Sequence, residues 1–228
     1  MIRTKLAGFL LLMGLSPLST FAQGSLSDRY VEDNARVHKL PLMERKVILF
    51  GNSITDNWFK MRPDFFTSHG FIGRGISGET TYDFVLRFER DAVALRPMAI
   101  VFNGGTNDIA ENDVAYDPET TYRNIISMVE TAQKGGVRIV LASILPAESM
   151  GWNAKVTGAM EKIESLNSRL RAYADAHHIL YVDYFPLMVT PDGARMRPEY
   201  TPDGVHPNEA GYAVMEDALL RALSPFIP

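Results

Sequence analysis

The sequence contains no cysteine among its 228 residues. Disulfide bonds, a thiolate nucleophile and cysteine-ligated metal sites are therefore excluded. Lipid attachment to an exported bacterial protein also requires a cysteine, so a lipoprotein is excluded as well. The fold must be held by core packing, and 46% hydrophobic residues fit one ordinary globular domain with a sizeable core.

Basic residues are fewer than acidic ones, with 23 Lys and Arg against 27 Asp and Glu, which gives a formal net charge of −4. A surface of this sign does not attract polyanions, so we expect no nucleic-acid partner. The chain lacks an H-E-x-x-H pattern or a comparable cluster of metal ligands. We expect neither a metal nor a cofactor.

No apolar run near the N-terminus is long enough to cross a membrane, which takes about 20 residues. Residues 6–15 are apolar and follow two basic residues, and Gly14, Ser16 and Pro17 break the run before Ala22. This pattern predicts a secretory signal peptide over residues 1–22 and a single domain over residues 23–228. We therefore expect export to the periplasm or the exterior of a bacterial cell, with no stable membrane insertion after cleavage.

Five short segments are apolar on both faces, which is typical of buried parallel strands. They lie at residues 46–50, 71–76, 98–102, 137–145 and 179–182. Helical patterns separate them, among them a segment capped by Asp117 and a long amphipathic stretch from Val156 to Tyr173. Strands alternating with helices predict an α/β fold, a three-layer α/β/α sandwich around a parallel five-stranded sheet.

Polar loops follow the predicted strands, and four of them carry side chains capable of chemistry. Ser53 comes after the first strand, residues 75–81 after the second and residues 103–108 after the third, while Asp203 and His206 share a loop before the last helix. Sites in open parallel sheets form at the carboxyl ends of the strands, so we expect these loops to meet. Taken singly, each is also consistent with an ordinary turn or helix cap.

A serine hydroxyl becomes a nucleophile when an imidazole takes its proton and a carboxylate fixes the orientation of that imidazole. Of the five histidines, His206 stands out because Asp203 precedes it by three residues. Ser53, His206 and Asp203 are thus a candidate nucleophile, base and orienting acid. If so, activity rises with pH as His206 loses its proton.

The four loops resemble, in order, the four blocks of the SGNH hydrolases, also called the GDSL esterase and lipase family. The segment G-N-S-I-T is similar to the GDS block and implies that Ser53 is the nucleophile. I-S-G-E-T and G-T-N-D resemble the glycine and asparagine blocks, and D-G-V-H-P resembles the D-x-x-H-P block. The resemblance implies an oxyanion hole made by the amides of Ser53 and Gly78 and the side chain of Asn107, with Asp203 and His206 completing the triad.

The resemblance covers roughly residues 45–225 and implies a flavodoxin-like fold. One residue departs from the pattern: Asn52 stands where the family usually has aspartate, which removes a negative charge beside the nucleophile. The fourth position after Gly51 is Thr55, so the G-x-S-x-G elbow of the α/β-hydrolases is absent.

The implied activity is that of a serine esterase acting on short acyl esters, acetyl esters of carbohydrates in particular, through an acyl-serine intermediate. The expected partner is a small-molecule or glycan ester. A lysophospholipase or thioesterase and a non-catalytic glycan-binding protein on the same fold are the alternatives. Trp58 and Trp152 are candidates for stacking on a sugar ring, although ordinary packing is the simpler interpretation of both.

Overall fold

A computed structural model describes residues 27–227, in which strands and helices alternate. The strands are β1 (Val47–Gly51), β2 (Phe71–Gly75), β3 (Ala99–Asn103), β4 (Arg138–Ala142) and β5 (Leu180–Val182). They pair in parallel in the order β2-β1-β3-β4-β5. The predicted parallel five-stranded sheet is confirmed.

Nine α-helices connect and cover the strands within these described residues. They are α1 (Val31–Val37), α2 (Ser53–Met61), α3 (Pro63–His69), α4 (Thr81–Asp91), α5 (Thr106–Ile109), α6 (Pro118–Lys134), α7 (Ala159–Ala176), α8 (Phe185–Met188) and α9 (Glu209–Leu223). Short 3₁₀ turns lie at Leu42–Glu44, Val93–Leu95 and Pro198–Tyr200. Within residues 27–227, none of the helices has the length and apolar content needed to span a bilayer.

The sheet is buried on both faces, which explains why its strands read as continuous apolar runs. Ile48 and Phe50 point into a core shared with α4, α6 and α7, whereas Val47 and Leu49 point into a second core shared with α2, α3 and α9. Successive side chains of a strand alternate between faces. The α/β/α sandwich is thus built from two hydrophobic cores on either side of one sheet.

The fourth strand is shorter than its apolar run, because β4 ends at Ala142 although residues 143–145 stay buried. Past that point Asn167 of α7 takes the place of a neighbouring strand, since its side-chain amide bonds both the N–H and the carbonyl of Ile144 at 2.8 and 2.9 Å.

Helix α7 begins at Ala159, three residues after the start of the predicted amphipathic stretch at Val156. The residue before it, Gly158, has a φ of 64°, which is not helical.

The carboxyl ends of the three strands β2, β1 and β3 lie side by side, with Gly51 opposite both Gly75 and Asn103. Gly75 permits an unusually close approach of β2 to helix α2. A Cβ atom there would lie 2.2 Å from the backbone nitrogen of Asp56. The loop that follows β2 is therefore drawn against the first turn of α2.

Candidate active site

Ser53 is the first residue of α2 and follows β1 after a single intervening residue, Asn52. The side-chain oxygen of Asn52 accepts a hydrogen bond from the Ile54 amide at 3.1 Å and so caps the helix. Ser53 Oγ lies 2.9 Å from Nε2 of His206, which is 153 residues away in the sequence. The serine is thus placed at the carboxyl edge of the sheet and within hydrogen-bond distance of an imidazole.

The other ring nitrogen of His206 faces a carboxylate. Its Nδ1 lies 2.7 Å from Oδ2 of Asp203, and Oδ1 of the same carboxylate accepts the backbone amides of Val205 and His206 at 2.9 and 2.8 Å. Partial burial raises the pKa of Asp203, but the hydrogen bonds from His206 and Val205 outweigh it and leave the pKa below its usual range. Asp203 is therefore ionised at neutral pH and holds the imidazole in one orientation.

These residues open onto a cleft of about 370 Å³ at the surface. Its lining comprises Ser53, Asn57, Ser77, Gly78, Asn107, Asn112, Trp152 and His206. All three residues of the expected oxyanion hole are among them, as is the expected base His206. Within residues 27–227 no group of three or more His, Asp or Glu side chains has the arrangement of a metal site.

The two expected oxyanion loops are bonded to each other. Asn107 is buried, and its Nδ2 donates one hydrogen bond to the carbonyl of Glu79 at 2.9 Å. An amide nitrogen carries two hydrogens, so a second donor is left for a ligand in the cleft. Gly78 has a φ of 87°, a left-handed conformation that glycine adopts without strain.

Asp108 anchors the asparagine loop to the start of α4. Its carboxylate is buried and accepts the backbone amide of Thr81 at 3.0 Å and the hydroxyls of Thr81 and Thr121. Burial raises its pKa to about 6, and these hydrogen bonds act in the opposite direction. The aspartate of the G-x-N-D segment is thus a structural tie between two loops of the site.

Arg87 of α4 lies beneath the site and is fully buried. Its guanidinium donates to the carbonyls of Gly51 and Arg74 at 3.1 Å each, and to the carboxylate of Glu79 at 2.7 Å. One side chain therefore bonds the end of β1, the end of β2 and the loop that carries Gly78 and Glu79. Sequence reasoning missed it, although an arginine one residue before Phe88 and three after Phe84, on the apolar face of a helix, was an available signal.

The segment before β1 supports the site from another side. Asp56 of α2 is buried and accepts Arg29 at 2.6 Å, Lys60 at 2.8 Å and the Ser77 hydroxyl at 2.9 Å. Burial raises the pKa of Asp56, but these bonds outweigh it and keep the pKa below the usual range. Tyr30 donates to the Gly75 carbonyl at 2.6 Å. The contacts made by Arg29, Tyr30 and Ser77 were not predicted, because nothing in the local sequence pairs residues so far apart.

The two tryptophans occupy different environments. Trp58 is 3% exposed, stacks on Phe65 and Tyr212, and donates its Nε1 hydrogen to Glu216. It belongs to the core, so the idea that it stacks on a sugar is wrong. Trp152 is 48% exposed and lines the cleft, with its ring centre 6.0 Å from that of His206.

A parallel sheet with a serine, a histidine and an aspartate in hydrogen-bond sequence at its carboxyl edge is the arrangement of a hydrolase that acts through serine. The chain belongs to the GDSL-like lipase/acylhydrolase family, whose sequence model matches residues 49–214. The resemblance seen in the four sequence blocks is confirmed.

Solved structures agree with this assignment. A GDSL-like lipase from Bacteroides thetaiotaomicron is 43% identical with a TM-score of 0.83, over 86% of this chain and 96% of that one. A proposed acylhydrolase from Bacteroides fragilis is 46% identical with a TM-score of 0.84, over 86% and 95% of the two chains. The α/β/α fold is therefore that of the GDSL-like hydrolases.

Two curated relatives match at lower identity and over smaller shares of their own length. An acetylxylan esterase of Xylanibacter ruminicola is 25% identical over 214 residues, which cover 78% of this chain and 43% of that protein. An uncharacterized lipoprotein of Bacillus subtilis is 30% identical over 78 residues, 33% of this chain and 32% of that protein. The matched region covers less than half the length of either curated relative.

Proposed function

We propose that this protein is a serine esterase that hydrolyses short-chain acyl esters, acetyl esters of carbohydrates in particular, through an acyl-serine intermediate. The observation that carries the proposal is the continuous series of hydrogen bonds from Ser53 to His206 to Asp203, at 2.9 and 2.7 Å. Membership of an acylhydrolase family and the likeness to an acetylxylan esterase support it.

In the proposed reaction, Nε2 of His206 takes the proton of Ser53 Oγ as the oxygen attacks the ester carbonyl. The developing oxyanion accepts hydrogen bonds from the amides of Ser53 and Gly78 and from the Asn107 side chain. The carbon–oxygen bond to the alcohol breaks and His206 returns the proton to the departing oxygen. A water molecule, deprotonated by the same imidazole, then releases the acid and restores the serine.

The lining of the cleft supports a short acyl group over a long one. Among the described residues that line it, Trp152 is the only large apolar side chain, and the others are serines, asparagines, a glycine and a histidine. A fatty acyl chain gains affinity by burying methylene groups against apolar walls, at about 0.8 kcal/mol each. A lysophospholipase or a long-chain thioesterase would need such walls.

The alternative of a non-catalytic glycan-binding protein is disfavoured by the same geometry. A binding site has no use for a carboxylate that orients an imidazole against a serine hydroxyl. Ser53, His206 and Asp203 are nevertheless arranged in this way, and Asn107 lines the same cleft.

The test is hydrolysis of p-nitrophenyl acetate, butyrate and octanoate by the wild type and Ser53→Ala. Loss of the nucleophile is expected to lower kcat by about a thousandfold or more. Ser127→Ala is a matched control, because Ser127 is an exposed helical serine whose hydroxyl bonds only the carbonyl of Asn124. We expect acetate to be the best substrate.

Full activity in Ser53→Ala would refute the serine mechanism. Octanoate as the best substrate would instead favour a lysophospholipase or a long-chain thioesterase.

We also propose that the protein is exported and that cleavage follows Ala22, a segment that lies outside the described residues. The intact mass of protein recovered from the periplasm of an expressing bacterium is expected to match a chain that begins at Gln23. A full-length chain retained in the cytoplasm would contradict export.

A further inference from the structure

Trp152 is an exposed aromatic side chain in a cleft whose other lining residues are serines, asparagines, a glycine and a histidine. It lies in the loop between β4 and α7, with 48% of its surface open to solvent, and it forms one wall of the cleft. Leaving an indole half exposed forgoes the free energy of its burial. Such a residue, placed beside a reactive group, is suited to contact a ligand.

The indole is held in a defined orientation by hydrogen bonds. Its Nε1 donates to Oδ1 of Asn112 at 2.8 Å, and Nδ2 of the same asparagine donates to the carbonyl of Gly78 at 3.2 Å. The neighbouring Asn153 fixes the loop by donating to the Ala110 carbonyl at 2.9 Å. The ring is therefore oriented before a ligand arrives, which lowers the entropy lost on binding.

The position of Trp152 relative to the imidazole indicates which half of an ester it would contact. The base returns its proton to the departing alcohol, so the alcohol half must lie on the His206 side of the cleft. The Trp152 ring is on that side, 6.0 Å from the His206 ring between centres and inclined to it by 35°. The carbonyl oxygen of the ester, in contrast, points toward the proposed oxyanion donors.

The surroundings of the indole match one chemical class of alcohol. A pyranose has an apolar face of C–H groups that packs on an aromatic ring and a rim of hydroxyls that needs hydrogen-bond partners. Asn57, Ser77 and Asn112 line the same cleft and supply amide and hydroxyl groups. A lysolipid would find one apolar side chain and no apolar wall beyond it.

We propose that Trp152 is the sugar platform of this enzyme and its specificity-determining residue: the pyranose ring of an acetylated carbohydrate stacks on the indole while the ester carbonyl sits against Ser53. This inference rests on the proposed function, because it assigns the alcohol half of the same substrate.

The experiment compares kcat/KM for two acetate esters, methyl 2,3,4-tri-O-acetyl-β-D-xylopyranoside and ethyl acetate, which has no ring to stack. In Trp152→Ala the ratio of the first to the second is expected to fall about tenfold, mainly through KM of the sugar ester. Trp152→Phe keeps an aromatic face but loses the bond to Asn112, so its ratio should be intermediate. Leu86→Ala is the matched control, since Leu86 is also 48% exposed and does not line the cleft. An unchanged ratio in Trp152→Ala would overturn the proposal.

A second readout does not depend on turnover. In the Ser53→Ala background, tryptophan emission is titrated with the triacetyl xyloside and is expected to change as the ring stacks. The same titration with Ser53→Ala/Trp152→Phe, which keeps the buried Trp58, should show no change. An emission change that survives in the double variant would contradict the platform. If Ser53→Ala still hydrolyses ethyl acetate, the serine mechanism fails instead, so the two failures are distinguishable.

Discussion

At the scale of single residues, Asn52 shows which property of a side chain this site uses. Its oxygen caps α2 by accepting from the Ile54 amide, and its side chain is buried beside the serine. Asparagine and aspartate cap helices about equally well, because both offer the same acceptor. The helix start that presents Ser53 is therefore intact without the carboxylate that the family usually carries here. What differs is the charge next to the proposed nucleophile.

The first prediction restores that charge in Asn52→Asp. A negative charge beside Ser53, whose hydroxyl lies 2.9 Å from Nε2 of His206, favours the protonated form of that imidazole, so the rise of activity with pH should move to higher pH, by up to about one unit. The measurement is kcat/KM for an acetate ester between pH 4 and 9 in both proteins. Superimposable profiles would mean that the charge at position 52 does not change the pH dependence of activity.

At the scale of elements, α4 does more than cover the sheet. Its Arg87 bonds two strand ends and the loop that carries Gly78, and the guanidinium lies 4.1 Å over the Phe50 ring. A buried cation needs buried anions, and Glu79 and Asp91 provide them at 2.6 and 3.7 Å. Burial still raises the pKa of Glu79 to about 7, with Arg87 acting in the opposite direction. The loop that carries Gly78 is thus fastened to the core through an ion pair.

The second prediction removes this tie in Arg87→Met. Buried carboxylates and carbonyls then lose their partner, and the free energy of unfolding should fall by about 3 to 5 kcal/mol. Arg87→Met/Glu79→Gln should recover part of the lost free energy of unfolding, because the buried carboxylate of Glu79, which would lack a partner, is gone. Urea denaturation measures all three proteins. Arg123→Met, at an exposed arginine of α6, is the control and should change stability by no more than about 0.5 kcal/mol. An equally small effect of Arg87→Met would refute the structural role.

At the scale of the whole molecule, two sets of carboxylates act in opposite directions on stability. Asp33, Asp56 and Asp203 have lowered pKa values because they accept hydrogen bonds that outweigh the effect of their burial. They favour the folded state above their usual pKa and lose that contribution in strong acid. Burial raises the pKa values of Asp108 and Glu79 to about 6 and about 7. At mildly acidic pH the folded chain therefore holds more protons than the unfolded chain.

The third prediction follows from the sign of this difference. Since the unfolded state has released the Asp108 proton by about pH 4 and the folded state releases it near 6, the free energy of unfolding falls as pH rises through this window. The decrease from Asp108 between pH 4.5 and 7.5 should be about 2 kcal/mol. Urea denaturation of the wild type and Asp108→Asn at both pH values checks it, because the variant lacks this contribution. The same decrease in both proteins would rule out Asp108 as its source.

How far the sequence predicts this protein can be judged element by element. The strands could be predicted because burial on both faces makes them continuous apolar runs. The predicted fourth strand, residues 137–145, was too long, because the chain stays buried after β4 ends at Ala142. Asp203 and His206 were paired because three residues of one loop separate them. The four-block pattern then led to the family, since it combines several local signals whose order is specific.

Contacts between distant residues are what only the tertiary structure decided. Ser53 meets His206 across 153 residues, Asp56 meets Arg29 across 27 and Arg87 meets Gly51 across 36. Trp58 and Trp152 have the same side chain, yet one is in the core and the other faces the cleft. A local pattern records the periodicity of burial and the residues of a turn, because those depend on neighbours along the chain. Which charges pair and which aromatic ring meets solvent depends on how the layers pack against the sheet.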